Sequence, residues 1–178
     1  MEENNRIIRI ALIGPESTGK TVLAQQLAEH FNTQWVPEFA RSYIEKLDRS
    51  YTAEDILVVA KEQWKEETEL LKTARRFIFS DTEMITSKVW CQDVFGFCHE
   101  WIPDNLAKEK HDFYLLTSPD IPWVKDAVRE NPERREHFFE RYQQELMQLG
   151  AAFEIVSGKG EERFQNALSA VIARTTEE

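Results

Sequence analysis

Eight consecutive residues near the amino terminus carry the clearest chemistry in the sequence. Residues 14–21 read Gly-Pro-Glu-Ser-Thr-Gly-Lys-Thr and match the pattern G-x-x-x-x-G-K-[ST] at every fixed position. The glycines allow backbone N–H groups to turn toward phosphate oxygens, and a helix beginning near Gly19 would add its positive end. In such a loop Lys20 is expected to reach the β- and γ-phosphates and Thr21 to bind magnesium. The motif therefore predicts ATP and Mg²⁺ as cofactors.

The residues around the motif favour a phosphate site over a chance match in an ordinary turn. A short apolar run, residues 7–13, precedes it and is typical of a buried strand. Behind it, Val22, Leu23 and Leu27 recur on one face of a helix predicted over residues 19–31. Strand, glycine loop and helix thus follow in the order that phosphate binding requires. The residues expected to contact the nucleotide are Gly14, Pro15, Glu16, Ser17, Thr18, Gly19, Lys20, Thr21 and Val22.

A site of this kind also needs an acid on a neighbouring strand to hold magnesium. Asp81 follows the apolar run Phe-Ile-Phe-Ser, so its carboxylate is expected at the carboxyl edge of the sheet, where the loop also opens. The alternative is that Asp81 is the N-cap of the next helix, and the two roles are compatible.

Glu38 and Arg41 form a second polar pair, at the end of a strand predicted over residues 34–37. In an open parallel sheet this edge borders the ligand crevice. Glu38 is a candidate to bind a sugar hydroxyl or to accept its proton, with Arg41 near the phosphates. The choice of general base between Glu38 and Asp81 stays open, and an exposed i, i+3 ion pair is the alternative for Glu38 and Arg41.

A polar stretch, residues 118–135, contains or borders a local cluster of basic residues in an otherwise acidic chain. Such a segment is a candidate lid, because arginines can meet the charge that develops on a transferred phosphoryl group while closure excludes water. The alternative is a solvated helix face paired with Glu130, Glu133, Glu136 and Glu140. The basic residues are Lys125, Arg129, Arg134, Arg135 and Arg141.

The remaining elements place these groups on one scaffold. Strands predicted at residues 7–13, 34–37, 77–80, 113–117 and 153–156 alternate with helices predicted at residues 19–31, 38–43, 52–74, 83–97, 105–110, 136–149 and 161–174. Thr52 is the expected N-cap of the long third helix. Alternating strands and helices predict an α/β fold: a P-loop NTPase three-layer sandwich around a parallel five-stranded sheet. At 178 residues, the chain is expected to form a single domain, residues 1–178.

Composition narrows the possible partners. The chain has 22 basic and 32 acidic residues and a formal net charge of -10, so nucleic acid is not expected as a partner. No apolar run is long enough for a membrane span and no signal peptide is apparent, so a cytoplasmic location is expected.

Cys91 and Cys98 are predicted to be reduced, buried thiols on one helix. The five tryptophans are predicted to belong to the core rather than to stack on a base.

Four motifs in this order resemble the ribosylnicotinamide kinase domain of NadR-type proteins, over nearly the whole chain. They are the loop at residues 14–21, Pro-Glu-Phe-Ala-Arg at 37–41, Asp-Thr-Glu at 81–83 and Asp-Ile-Pro-Trp-Val-Lys-Asp at 120–126. The Trp-Val-x-Asp-x-x-Arg element of that family is met by Trp123, Val124, Asp126 and Arg129.

The resemblance implies a nucleoside and nucleotide kinase-like fold with a mobile lid. It also implies that ATP phosphorylates the 5′-hydroxyl of nicotinamide riboside to give nicotinamide mononucleotide, in NAD salvage. The chain has no His-x-Gly-His adenylyltransferase signature, so it is not expected to make NAD itself. Catalytic roles are implied for Lys20, Asp81, Glu38 and Arg129, and substrate contacts for Glu38, Arg41, Asp81, Glu83, Trp123 and Asp126.

Two other functions stay open at this stage. A related nucleoside or nucleotide kinase would share the loop, the acid and the lid. An NTP-binding regulatory ATPase module would bind nucleotide without a pocket for an acceptor beside the γ-phosphate. A pocket lined by Glu38 and Asp81 would therefore favour an enzyme.

Overall fold

The computed structural model describes residues 6–126 and 129–176. Within those ranges, five parallel strands form one sheet, as predicted. The strands are β1 Ile8–Ile13, β2 Gln34–Val36, β3 Phe77–Asp81, β4 Phe113–Thr117 and β5 Phe153–Val156. Their order in the sheet is β2-β3-β1-β4-β5. The central position of β1 brings the loop that follows it to the middle of the sheet edge.

Helices connect the strands and cover both faces of the sheet. They are α1 Lys20–His30, α2 Phe39–Ile44, α3 Ala53–Leu70, α4 Met84–Phe95, α5 Trp101–Lys108, α6 Arg135–Leu149 and α7 Glu161–Thr176, with a 3₁₀ turn at Pro132–Arg134. Thr52 caps α3 as predicted, in a reciprocal capping box with Asp55. None of the helices in the described part of the chain is both long and apolar enough to cross a membrane.

Alternate side chains of β1 enter two separate cores. Ile10 and Leu12 pack with residues of α1 and α7, while Ala11 and Ile13 pack with residues of α3, α4, α5 and α6. Since a strand presents successive side chains to opposite faces, one apolar strand can serve both layers. The result is the predicted three-layer sandwich.

Several predicted boundaries differ from the structure. Helix α4 ends at Phe95 because Gly96 adopts a left-handed backbone conformation with φ of 75°, which terminates helices. Cys98 therefore lies beyond the helix and is only partly buried, whereas Cys91 is buried as predicted. Helix α5 begins at Trp101, four residues before the predicted start, and α3 ends at Leu70 rather than Ala74. Val22, which its spacing placed on one apolar face with Leu23 and Leu27, is 58% exposed, whereas Leu23 and Leu27 are buried.

The register of the sheet places the chemically interesting residues at one edge. Leu12 of β1 pairs with Asp81 of β3, and Ile13 pairs with Leu116 of β4. Because all the strands are parallel, the ends of β1, β3 and β4 and the loops that follow them meet at the carboxyl edge. This is the edge at which open α/β sheets bind ligands.

Candidate functional site

The loop between β1 and α1 has the backbone of a phosphate-binding turn. Gly14, Ser17 and Gly19 have φ angles of 145°, 58° and 80°, in the region that favours glycine. A Cβ added at Gly14 would lie 2.3 Å from Thr117 Oγ1, so the contact with β4 excludes any side chain there. Ser17 takes the same strained region without being glycine, which is a feature of functional sites. Helix α1 starts directly behind this turn, so its N-terminal amides face the loop.

Lys20 folds back over the loop that precedes it. Its Nζ donates hydrogen bonds to the carbonyl oxygens of Gly14 and Pro15, at 3.0 and 2.8 Å. Burial lowers the pKa of Lys20, and the nearby carboxylates of Glu38 and Asp81 oppose that shift. The ammonium group is thereby held at the loop that would wrap phosphate oxygens.

Asp81 ends β3 and lies against the first turn of α1. Thr21 Oγ1 donates a hydrogen bond to Asp81 Oδ2 at 2.5 Å, while Asp81 Oδ1 is buried and has no hydrogen-bond partner within the described residues. Burial, followed by the charge of Glu38, raises the pKa of Asp81 to about 6, and Lys20 opposes this shift. The N-cap alternative is wrong for Asp81, because the side chain of Glu83 caps α4 by accepting from the Ile85 amide at 2.7 Å.

The phosphate loop opens into a cavity of about 260 Å³. Residues 14–22 form one end of it, and Glu38, Arg41, Glu83 and Arg129 also line it. The other walls combine aromatic, aliphatic and small polar side chains. These are Ile44, Tyr51, Val59, Gln63, Thr82, Thr86, Ser87, Trp90, Phe138 and Tyr142.

Arg41 makes its shortest described contact across the cavity rim and not along its own helix. Its Nη1 lies 2.5 Å from Asp126 Oδ2, whereas its Nε lies 3.9 Å from Glu38 Oε2. The predicted i, i+3 pair therefore exists but is the weaker of the two. Asp126 also lies 3.5 Å from Arg129 Nε, so it bridges two cavity-lining arginines.

The predicted lid sits over the loop, and its basic residues separate into distinct groups. Residues 127 and 128 of the predicted range 118–135 lie outside the described residues. Arg129 lines the cavity, whereas Arg134 pairs with Asp93 and Arg141 contacts Gln92 and Glu145. Arg135 donates to the carbonyl oxygens of Ser17, Pro119 and Ile121. None of the ion pairs described for these arginines uses the predicted partners Glu130, Glu133, Glu136 or Glu140.

Three of the predicted substrate residues lie one contact away from the cavity and do not line it. Trp123 donates from Nε1 to Glu16 Oε1 at 2.9 Å, Asp126 accepts from Arg41, and Asp81 accepts from Thr21. Glu83 does line it, with 5% of its surface exposed, and burial raises its pKa to about 7.

Sequence reasoning missed the aromatic wall. Trp90 packs against the core as expected for a tryptophan, but it also lines the cavity and donates from Nε1 to Tyr51 Oη at 3.2 Å. Tyr142 and Phe138 reach the same cavity from α6. Trp90, Phe138 and Tyr142 lie inside helices and Tyr51 precedes one, all away from any short motif, so no local signal in the sequence marked them.

The phosphate loop, the acid on the adjacent strand and the five-stranded order define the class: the fold is that of the P-loop nucleoside and nucleotide kinases. Residues 9–163 match a family described as an AAA domain, and the chain belongs to that family. The resemblance to NadR-type proteins is also confirmed. The chain is 27% identical over 126 residues to the trifunctional NAD biosynthesis/regulator protein NadR of Salmonella typhimurium and to that of Escherichia coli. Each match covers 67% of this chain and 30% of the relative.

Solved structures agree on the fold. A NadR protein in complex with NR superimposes with a TM-score of 0.77 at 22% identity, over 96% of this chain and 50% of that one. Thymidylate kinase from Ehrlichia chaffeensis gives a TM-score of 0.65 at 13% identity, over 93% and 97% of the two chains. Deoxyadenosine kinase from M. mycoides gives 0.62 at 10% identity, over 93% of this chain and 100% of that one.

Proposed function

We propose that this chain is an ATP-dependent kinase that phosphorylates the 5′-hydroxyl of nicotinamide riboside to give nicotinamide mononucleotide. One observation carries the proposal: the phosphate loop and an acidic, aromatic compartment are two ends of the same cavity. A regulatory nucleotide-binding module needs no such compartment next to the γ-phosphate position. The NadR relatives, named for NAD biosynthesis, support the choice of reaction.

On the nucleotide side, residues 14–22 would hold ATP and Lys20 would bind the β- and γ-phosphates. Thr21 and Asp81 fit a magnesium site, because their oxygens lie together and Asp81 Oδ1 is buried with no described partner. A bound Mg²⁺ would neutralise charge on the phosphates. Arg129 lines the same cavity, and its positive charge contributes to the lowered pKa of Lys20.

On the acceptor side, the cavity suits a cationic ring. The pyridinium of nicotinamide riboside carries a positive charge, and aromatic faces attract such cations. Trp90, Tyr51 and Tyr142 supply the aromatic wall, and Glu38 supplies negative charge near it. A neutral nucleoside would gain less from the same residues.

We propose that Glu38, rather than Asp81, is the general base that accepts the proton of the 5′-hydroxyl. Glu38 lines the cavity with a quarter of its side chain exposed, whereas Asp81 is fully buried and already bound by Thr21. The hydroxyl oxygen forms the new bond to the γ-phosphorus as the bond from that phosphorus to the β-phosphate oxygen breaks. The proton passes to the Glu38 carboxylate, and ADP leaves.

The remaining parts of the proposal follow from this reaction. Residues 1–178 would act as one kinase domain with the lid at residues 118–135. Because ATP is an intracellular cosubstrate, we propose a cytoplasmic location. The chain spans 30% of the length of its NadR relatives, so the proposal concerns the kinase reaction alone.

A nucleoside panel tests the proposal. The chain is incubated with ATP, Mg²⁺ and nicotinamide riboside, adenosine, cytidine, thymidine or uridine, and both ADP and the phosphorylated nucleoside are measured. We expect nicotinamide mononucleotide in a 1:1 ratio to ADP, and a rise in melting temperature with nicotinamide riboside, since ligands stabilise the state that binds them. Product from another nucleoside alone would make this a related nucleoside kinase. No product, with ATP hydrolysis unchanged by every nucleoside, would contradict the kinase function.

A further inference from the structure

Glu16, a variable position of the phosphate loop, directs its carboxylate at the lid. Glu16 Oε1 accepts hydrogen bonds from Trp123 Nε1 at 2.9 Å and from the Asn131 amide at 2.6 Å. Its Oε2 accepts from the Glu130 amide at 2.9 Å. One carboxylate thereby joins two stretches of the lid, one on each side of residues 127 and 128.

A carboxylate within a phosphate loop would be repelled by a bound triphosphate, and hydrogen-bond donors lower that cost by dispersing part of the carboxylate charge. Three N–H groups of the lid donate to Glu16, and hydrogen bonds to a charged acceptor are stronger than neutral ones. The lid segments in turn gain partners for two backbone amides that would otherwise need water.

Ser17, the next residue of the loop, strengthens the same connection. Its Oγ accepts from the Val124 amide at 2.9 Å, and its carbonyl oxygen accepts from Arg135 Nη1 at 3.1 Å. Ser17 is the loop residue with the strained φ of 58°. Through these two hydrogen bonds, the lid contacts the loop residue whose backbone conformation is strained.

The contact reaches the cavity through Arg129. The Glu130 and Asn131 amides directly follow Arg129, so Glu16 fixes the backbone from which this arginine extends. Arg129 lines the cavity, donates to the Val124 carbonyl oxygen at 2.6 Å and lies 3.5 Å from Asp126 Oδ2. We propose that Glu16 is a positioning residue that ties the lid to the phosphate loop and so holds Arg129 at the phosphate end of the cavity. The predicted effect on turnover rests on the proposed kinase function, whereas the tie, meaning the hydrogen bonds between Glu16 and the lid, does not.

Limited trypsinolysis tests the tie without any ligand. Lys125 is exposed and lies between the two stretches that Glu16 holds, so release of the tie should speed cleavage after it. We expect Glu16→Ala to raise that cleavage rate about 10-fold, a change of the size that follows loss of a hydrogen bond to a charged group. Glu16→Gln, which keeps one acceptor oxygen, should fall between Glu16→Ala and the unmodified chain. The matched control is Glu29→Ala, at an exposed acid on α1, which should change nothing.

A double-mutant cycle tests whether Glu16 acts through Arg129. We expect Glu16→Ala to lower kcat about 10-fold or more, because Arg129 loses its position. The ATP dissociation constant should change less than about 3-fold, because the contacts of the loop with the phosphates remain. In an Arg129→Ala background the same substitution should have almost no further effect on kcat. Melting temperatures of all variants exclude simple unfolding.

Distinct outcomes separate this inference from the proposed function. Unchanged trypsin cleavage in Glu16→Ala would overturn the tie, and additive losses in the cycle would overturn its action through Arg129. If no nucleoside is phosphorylated, the proposed function fails and the cleavage rates alone decide on the tie.

Discussion

Thr21 Oγ1 donates a hydrogen bond to Asp81 Oδ2 at 2.5 Å, joining the first turn of α1 to the last residue of β3. The two residues are sixty positions apart and meet because β1 and β3 are neighbours in register. A hydroxyl and a carboxylate at the mouth of a phosphate loop form the donor set that magnesium prefers.

Asp81→Asn should reduce turnover more than nucleotide affinity. The amide keeps the shape of the side chain but loses the charge that would hold magnesium, so we expect kcat to fall at least about 100-fold. The pKa of Asp81 in the unliganded chain is raised to about 6, so in the unmodified chain kcat/KM for ATP, which reports groups of the free enzyme, should fall as the pH drops below about 6 and the carboxylate takes up a proton. Steady-state kinetics between pH 5 and pH 9 measure this. If a still active Asp81→Asn variant shows the same decline at low pH, another titrating group causes that decline.

Lys20→Ala should remove most of the stabilisation of the transferred phosphoryl group. Its ammonium is held at the loop by two carbonyl oxygens, and the loss of such a preorganised charge typically costs about 10²- to 10³-fold in kcat. Lys46→Ala, at an exposed lysine beyond α2, is the matched control. Turnover that survived Lys20→Ala within about 3-fold would place the phosphate site elsewhere.

The strand and loop part of the site was predictable because its signals are local. Residues 14–21 fix a backbone conformation by their own sequence, and Asp81 is the last residue of β3, directly after the four buried residues 77–80. Gly14 illustrates the limit of such reasoning. The motif demands glycine for the turn, but only the structure shows that Thr117 of β4 leaves no space for a Cβ.

The aromatic wall of the cavity was less predictable because it forms between elements. Trp90 on α4 and Tyr142 on α6 meet only after both helices pack on the same face of the sheet. The lid arginines show the same difficulty. Sequence spacing offered nearby glutamates as alternative partners, but Arg134 pairs with Asp93, forty-one positions distant.

Trp90→Ala should weaken acceptor binding selectively. We expect the KM for nicotinamide riboside to rise about 10-fold, which corresponds to the free energy of a partly desolvated cation–π contact. The KM for ATP should stay within about 2-fold of its value in the unmodified chain. Trp90→Phe keeps an aromatic face and should raise the KM less than about 3-fold. Trp35→Phe, on the opposite face of the sheet, is the control for a tryptophan that packs against the other core. Equal effects of Trp90→Ala on both substrates would argue for general loosening of the fold.

Glu83→Gln should stabilise the protein at alkaline pH and not at acidic pH. Burial raises the pKa of Glu83 from 4.5 to about 7, with Glu67 adding to the shift and His111 and Arg9 opposing it. Between those pH values the folded chain keeps a proton that the unfolded chain releases, so this stability is complete below about pH 4.5 and lost as the pH rises to about 7. Above pH 7, burial of the charged form should cost about 3 kcal/mol that the glutamine avoids, while its oxygen still accepts from the Ile85 amide.

Urea unfolding of the unmodified chain, Glu83→Gln and the exposed control Glu29→Gln at pH 5 and pH 8 measures the difference. A Glu83→Gln variant less stable than the unmodified chain at pH 8 would show that the buried carboxylate is stabilising.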